Sequence, residues 1–292
     1  MIKKKVNLFV VGAMKAGTTS FMELLNSHQD IFVSPIKEPH YFIKSLPKSL
    51  YEPSRFFSID DYFDTDFPKP IHITKIEKEI HYQKLFSLSK QEKYLVDGST
   101  AYLSALESAS LIYNYNPNAK IIILRRPPLQ RAYSHYKMDL GLGRVKNSFD
   151  ELLQYEIKSY KEGSISWSGY LGMSFYKRSF NRYKNLFKNV IIIDFNDLIN
   201  NRLLVLKKVS TFLEIETFGI LEFKLKNVTK TLRLQKLFYY LKKLGLKDYF
   251  SQLFSHTFKQ WIFKIASKSE KESLELSNTT LKEVEQIFKE ES

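Results

Sequence analysis

The sequence predicts an α/β domain: a central, mostly parallel β-sheet flanked by helices. Five short apolar runs rich in β-branched residues predict the strands, at Val6 to Val11, Ile31 to Val33, Tyr94 to Val96, Ala119 to Leu124 and Val190 to Phe195. Runs such as Ile121-Ile122-Ile123-Leu124 and Val190-Ile191-Ile192-Ile193 show no polar alternation, as expected of strands covered on both faces. Helical patterns lie between the runs, and strands alternating with helices predict a parallel, doubly wound sheet.

The elements follow in order. Behind the first strand comes Gly12-Ala13-Met14-Lys15-Ala16-Gly17-Thr18-Thr19-Ser20, which opens a helix with Phe21, Leu24, Leu25 and His28 on one face. Residues 43–92 are irregular, carrying Pro47, Pro53, Pro68, Pro70 and many aromatics; they predict an insertion near the active face of a single 1–292 domain. Pro128 suits the start of a second helix running from Leu129 through Leu140, and Leu203 to Leu213 predicts a third. A helical C-terminal extension is expected over 232–292. Within it Leu234, Leu237, Phe238, Leu241 and Leu244 share a face opposite Lys236, Lys242, Lys243 and Lys247. Such a basic amphipathic helix packs on a core or makes peripheral membrane contact.

Composition narrows the chemistry. The chain of 292 residues has no cysteine, so a disulfide scaffold, a thiolate zinc site and a cysteine nucleophile are all excluded. The histidines show no ligand spacing, and no metal is expected. A net charge of +14 attracts anions: nucleotides, acidic glycans, nucleic acid or acidic lipid. Met1-Ile2-Lys3-Lys4-Lys5 before an apolar run mimics a signal peptide, but the run is short and ends in a charged, Gly-rich loop. A buried strand explains it better, and a cytoplasmic location is expected. No stretch approaches 18 apolar residues.

The Gly12 to Ser20 loop has the makings of an anion nest. Small residues let successive backbone N–H groups converge, the helix N-terminus adds partial positive charge, and Lys15, Thr18 and Thr19 add donors. It is not a Walker A loop, because Thr18 stands where that motif requires lysine. A second anion site is predicted where the strand at 119–124 ends in Arg125-Arg126. Arginine at the carboxyl edge of a parallel sheet offers a fork for phosphate, and Ser134, about two turns into the next helix, offers a further donor. Together the two segments imply a ligand with two separated anionic groups.

These residues resemble a known family. Val11 through Ser20 is similar to the 5′-phosphosulfate-binding loop of sulfotransferases that use 3′-phosphoadenosine 5′-phosphosulfate (PAPS), whose fold is P-loop-like. Arg126-Pro127-Pro128 through Tyr136 resembles their 3′-phosphate-binding segment, with Arg126 rather than Arg125 at the matching place and Arg131 as a brace. Lys37-Glu38-Pro39-His40-Tyr41-Phe42 resembles the acidic catalytic motif of the carbohydrate, heparan-sulfate-type branch and its bacterial relatives. The likeness covers roughly residues 6 to 235.

The resemblance implies sulfuryl transfer from PAPS to an acceptor hydroxyl, with Glu38 as general base and Lys15 stabilising the leaving phosphate. Lys15, Ala16, Gly17, Thr18, Thr19, Ser20, Arg126, Ser134 and Arg233 would bind the nucleotide. His40 is the second candidate base, with a packed structural role as its competing reading. Lys226, Lys230 and Arg233 are the candidates for the adenine side. Gly98 departs from the branch, which carries lysine there, so either the acceptor differs or Lys37 or Lys44 substitutes. The expected acceptor is a glycan, plausibly anionic, with aromatics in 41–63 and 155–176 available for sugar stacking; no specific nucleic acid is expected. A small-molecule kinase, which needs lysine beside the helical Thr and a magnesium-binding Asp, and a basic glycan- or nucleic-acid-binding module are the competing classes.

Overall fold

The computed structural model describes residues 5–219, 231–232, 240, 267–268 and 274–291. Elements are numbered in chain order. The strands are β1 (Leu8–Gly12), β2 (Ile31–Val33), β3 (Ile36–Glu38), β4 (Ile71–Ile73), β5 (Tyr94–Asp97), β6 (Lys120–Arg125), β7 (Val190–Asp194), β8 (Thr231–Leu232) and β9 (Ser267–Lys268). Helices used below are α1 (Thr18–Asn26), α2 (Ile59–Asp61), α3 (Glu79–Lys84), α4 (Ser108–Tyr115), α5 (Pro128–Gly141), α6 (Phe149–Lys161), α7 (Tyr176–Leu186), α8 (Phe195–Asn200), α9 (Arg202–Leu213) and α10 (Asn278–Glu291).

The main sheet has five parallel strands in the order β2-β5-β1-β6-β7. All five predicted apolar runs supply one strand each. β1 is buried along its whole length, and Ile121, Ile122, Ile123 and Leu124 of β6 are wholly inaccessible. Burying each such side chain contributes about 1.5–3 kcal/mol, which explains why the centre of the sheet is apolar without alternation. β7 departs from this pattern. It is the edge strand, and Val190, Ile191 and Ile192 are only half-buried. The predicted run also overshoots, since Phe195 opens α8 rather than ending β7.

The strand order creates a switch at the carboxyl end of β1. From β1 the chain runs outward on one side to β2 and β5, then crosses to β6 and β7 on the other. Crevices at such points are where open α/β sheets bind ligands. The register of β1 on β6 slips between Val10 and Gly12, so β1 leaves its partner as the loop to α1 begins.

Residues 43–92 hold α2, a π-helical turn at Tyr62–Asp66, β4 and α3. β4 pairs in parallel with β3, with Ile36 opposite Ile71 and Glu38 opposite Ile73. A second apolar cluster lies beside the main core. It joins Ala132 of α5, Phe149, Leu153 and Ile157 of α6, Tyr170 and Leu171, and Val284, Ile287 and Phe288 of α10. The Ser148–Glu151 capping box starts α6.

Of the predicted C-terminal helical region, α10 packs on α6 and α7. Thr231–Leu232 and Ser267–Lys268 are instead extended and pair antiparallel. The stripe from Leu234 to Leu244, its lysines, and the adenine-side candidates Lys226, Lys230 and Arg233 lie outside the described residues. Among the described residues no helix is long and apolar enough to cross a membrane.

Candidate active site

The loop from Gly12 to Ser20 follows β1 directly. Gly12 has φ +143° and Gly17 φ +84°, and neither tolerates a side chain. A Cβ on Gly12 would come within 2.6 Å of the Thr100 carbonyl, and one on Gly17 within 2.9 Å of the Phe195 ring. Lys15 also lies in the left-handed region, at φ +71°. Left-handed Lys15 and Gly17 flank ordinary Ala16, an alternation that favours an anion nest, while the Ala13 and Ala16 N–H groups are bonded to the Leu124 and Ala13 carbonyls. Gly17 is the N-cap of α1, and no side chain caps the helix. Thr18 and Ser20 are buried, so these hydroxyl residues are part of the packed loop and not its caps.

Lys15 and Arg126 are brought together. The Arg126 Nη1 donates to the Lys15 carbonyl oxygen at 3.4 Å, and its guanidinium lies over the Phe195 ring at 4.8 Å. The two adjacent arginines have different roles. Arg125 is exposed and grips Asp194 through two N–H groups, at 2.5 and 3.2 Å, whereas Arg126 turns toward the loop.

Burial lowers the pKa of Lys15 to about 8. The cations Arg126, Arg131 and Lys37 push the same way, and Asp139 opposes them. Three of the four charges acting on Lys15 are cations, a field that favours a ligand carrying negative charge.

On α5, Ser134 is buried, and among the described residues its side chain makes no hydrogen bond. Arg131 is fully buried: Nε donates to Ser174 Oγ and Nη2 to the Tyr170 carbonyl, both at 2.7 Å. It thereby ties α5 to the 3₁₀ turn at Gly172–Ser174.

The second half of the site is built around Glu38, the last residue of β3 and 7% exposed. Its Oε1 accepts from Lys37 Nζ at 2.5 Å. Its Oε2 accepts from Thr100 Oγ1 at 2.6 Å and from the Thr100 N–H at 3.3 Å, and lies 3.5 Å from His40 Nε2. Burial alone would raise the pKa of this carboxyl. The charges of Lys37 and His40 and the hydrogen bonds from Lys37 and Thr100 outweigh it and hold the group down at about 2.

His40 is also buried. Its backbone N–H donates to Ser99 Oγ at 2.9 Å, and its Nδ1 is 3.2 Å from the Thr74 carbonyl. Burial lowers the pKa of its ring, against the pull of Glu38. Glu38 is thus paired with Lys37 and almost inaccessible, and His40 is packed yet beside Glu38.

Behind these residues sits Asp97, fully buried at the end of β5. It accepts from Tyr82 Oη at 3.0 Å, Tyr102 Oη at 2.9 Å, Ser99 Oγ at 2.8 Å and the Ser99 N–H at 3.1 Å. Burial still wins over these bonds and pushes the carboxyl up to about 6. At Gly98 a Cβ would come within 2.6 Å of Met22 Cε, so Met22 of α1 fills the space into which a side chain there would begin. Of the two substitutes, Lys37 touches Glu38, and Lys44 is exposed with its backbone N–H bonded to Glu107.

Several aromatics in 41–63 are core: Tyr41 stacks on Tyr82 at 4.2 Å, and Phe42, Tyr62 and Phe63 are buried. Thr100 and Phe195 are site residues that motif reading did not single out. Thr100 stood inside the Asp97 to Tyr102 block; Phe195 carried no signal in the sequence.

The comparisons with known proteins agree with this geometry. The family model described as the sulfotransferase family matches residues 7–219. The chain belongs to the sulfotransferase family. It is 22% identical over 190 residues to human carbohydrate sulfotransferase 15, covering 56% of this chain and 32% of that protein. It is 24% identical over 147 residues to mouse heparan sulfate glucosamine 3-O-sulfotransferase 5, covering 50% and 34%. The chain thus spans about a third of the length of these curated relatives. Among solved structures, a sulfotransferase from Alicyclobacillus acidocaldarius superposes with a TM-score of 0.59 at 26% identity, covering 84% of this chain and 93% of that one.

Proposed function

We propose that the protein transfers a sulfuryl group from PAPS to a hydroxyl of a glycan acceptor, with Glu38 as the base. The observation that carries this reading is the meeting of the Lys15 loop and Arg126, Nη1 to carbonyl at 3.4 Å, which brings two cations of the predicted anion sites together. Lys37 links the two halves, acting electrostatically on Lys15 and bonding Glu38. The family membership and the carbohydrate-directed relatives support the glycan class.

Within this reading each residue has a task. The loop N–H groups, Thr18, Thr19 and Lys15 hold the 5′-phosphosulfate, while Arg126 and Ser134 hold the 3′-phosphate. Phe195 orients the Arg126 guanidinium from below. The donor supplies the activated sulfuryl group. The acceptor oxygen forms its bond to sulfur as the bond between sulfur and the bridging phosphate oxygen breaks. The electron pair leaves with the phosphate, where Lys15 stabilises the growing charge, and the hydroxyl proton passes to Glu38. Thr100 fixes Oε2, which leaves Oε1, held by Lys37, as the oxygen that meets the acceptor. A carboxyl near pKa 2 is always in the basic form but is a weak base. Lys37 must therefore loosen its grip on Oε1 as the acceptor arrives, which raises the basicity of Glu38 toward its ordinary range.

The test is a calorimetric titration with 3′-phosphoadenosine 5′-phosphate (PAP) beside AMP and magnesium-free ATP. Preference for PAP by at least tenfold is expected. Equal affinity for all three, or magnesium-dependent turnover of ATP, overturns the reading. Labelled PAPS offered with a panel of glycans then identifies the acceptor.

A further inference from the structure

The β3–β4 ribbon sets one more side chain beside Lys37, the residue that holds the Glu38 carboxylate. Glu38 stands opposite Ile73 and Ile36 opposite Ile71, so His72 stands beside Lys37 on the same face of the ribbon. Backbone bonds on either side lock this register: the Ile71 N–H donates to the Pro35 carbonyl at 3.1 Å and the Thr74 N–H to the Glu38 carbonyl at 3.0 Å. His72 is exposed, and among the described residues its ring makes no hydrogen bond and no ion pair. The charges of Lys37 and Glu38 of β3 and of Lys15 in the donor loop act on its ring. Those are the base, the partner of the base and the lysine of the donor loop.

Every other polar group around Glu38 is already engaged. Lys37 holds Oε1, Thr100 holds Oε2, and His40 is buried against Thr74 and Ser99. Desolvation, Lys37 and Lys15 lower the pKa of His72, with Glu38 opposing. The ring at neutral pH is then an uncharged imidazole, which offers one donor and one acceptor. That pattern suits a neutral hydroxyl pair rather than an anion.

Resting on the sulfotransferase reading above, we propose that His72 is an acceptor-side specificity residue whose ring hydrogen-bonds a hydroxyl vicinal to the one being sulfated. It selects a sugar diol over an isolated alcohol.

The test uses the full chain with PAP bound and an unsulfated tetrasaccharide of alternating uronic acid and glucosamine as probe. Histidine side-chain NMR, with the His72 resonance assigned by its loss in His72→Gln, should show a saturable shift of His72. The ring of buried His135 should not move. In sulfation of the same probe, His72→Ala should raise the acceptor KM about five- to tenfold, the loss of one hydrogen bond. kcat and PAP affinity should stay within about twofold of wild type, and His72→Asn, which keeps a donor and an acceptor, should recover part of the KM. An unmoved His72 ring, an unchanged acceptor KM, or a loss confined to PAP affinity overturns the proposal. Failure of the wild-type protein to bind PAP is a different result: it sinks the sulfotransferase reading, and this proposal with it.

Discussion

The two halves of the site treat their charges in opposite ways. On the donor side, Lys15 is set among Arg126, Arg131 and Lys37, and its proton is held less tightly than in water, at a pKa of about 8. On the acceptor side, Glu38 is over-satisfied, with a lysine, a threonine and a histidine around one carboxylate at about 2. In the proposed reaction the first half gains when an anion enters, and the second opens when the acceptor displaces Lys37. A pocket made of like charges is a site for a ligand that brings the opposite charge. A pocket made of paired charges is a site that must be opened, and opening it couples base strength to acceptor binding.

The largest effect that would test this contrast is Glu38→Gln. Turnover should fall by about 10²–10⁴-fold, the usual worth of a positioned base, while PAP affinity stays unchanged in calorimetry. Thermal unfolding should also move downward, because Lys37 is left half-buried without its counter-charge. The sign with pH follows from the depressed carboxyl: its contribution is complete above the ordinary carboxylate pKa and disappears as pH falls toward about 2. The stability gap between wild type and the variant should therefore be widest above pH 5 and close in acid.

Lys15→Ala should cost about 10²–10³-fold in turnover and weaken PAP binding, yet it should hold or raise the melting temperature of the ligand-free protein. Removal of a cation from a cationic pocket relieves repulsion. A clear drop in stability would mean that Lys15 is a structural ion and would break the comparison.

Arg126→Ala should weaken PAP binding by about 10–100-fold, the cost of a lost charge-assisted contact of about 1.5–3 kcal/mol. Arg125→Ala is the adjacent control. Its exposed pair with Asp194 is worth about 0–1 kcal/mol, so PAP affinity should stay within about twofold. Equal losses from the two variants would contradict the division of roles seen at the end of β6.

The smallest effect is a proton count. The Lys15 pKa is below its ordinary value in the free protein, and a bound anion should restore it. PAP binding at pH 8 should therefore take up about half a proton, read from calorimetry in buffers of different ionisation enthalpy. Affinity should be highest below pH 8 and fall above it. Lys15→Arg, charged throughout, should abolish the uptake.

How much of this was legible in the sequence depended on range. The donor loop is a contiguous motif, and its positive-φ glycines, lysine and hydroxyls could be read in order. The five sheet strands were legible because each is a run of apolar residues buried by its neighbours. Three-residue strands β3 and β4 were not, since Ile36–Glu38 and Ile71–Ile73 carry too few residues to show a period. Phe195 was read as the end of a strand because its role depends on Arg126 and Gly17, which are far away in the chain. Thr100 was inconspicuous because its bond to Glu38 spans 62 residues.

By itself, the order of residues determined the α/β class and the place of the Gly12 to Ser20 loop after β1, and it marked Lys15, Arg126 and Glu38 as candidates, because local propensity and contiguous motifs carry that information. Only the tertiary structure decided which charge each of these feels. Burial sets the field around Lys15, the pairing of β3 with β4 sets His72 beside Lys37, and the Asp97 to Thr100 turn sets the geometry of Glu38. Those are products of distance and dielectric between segments that meet only after folding.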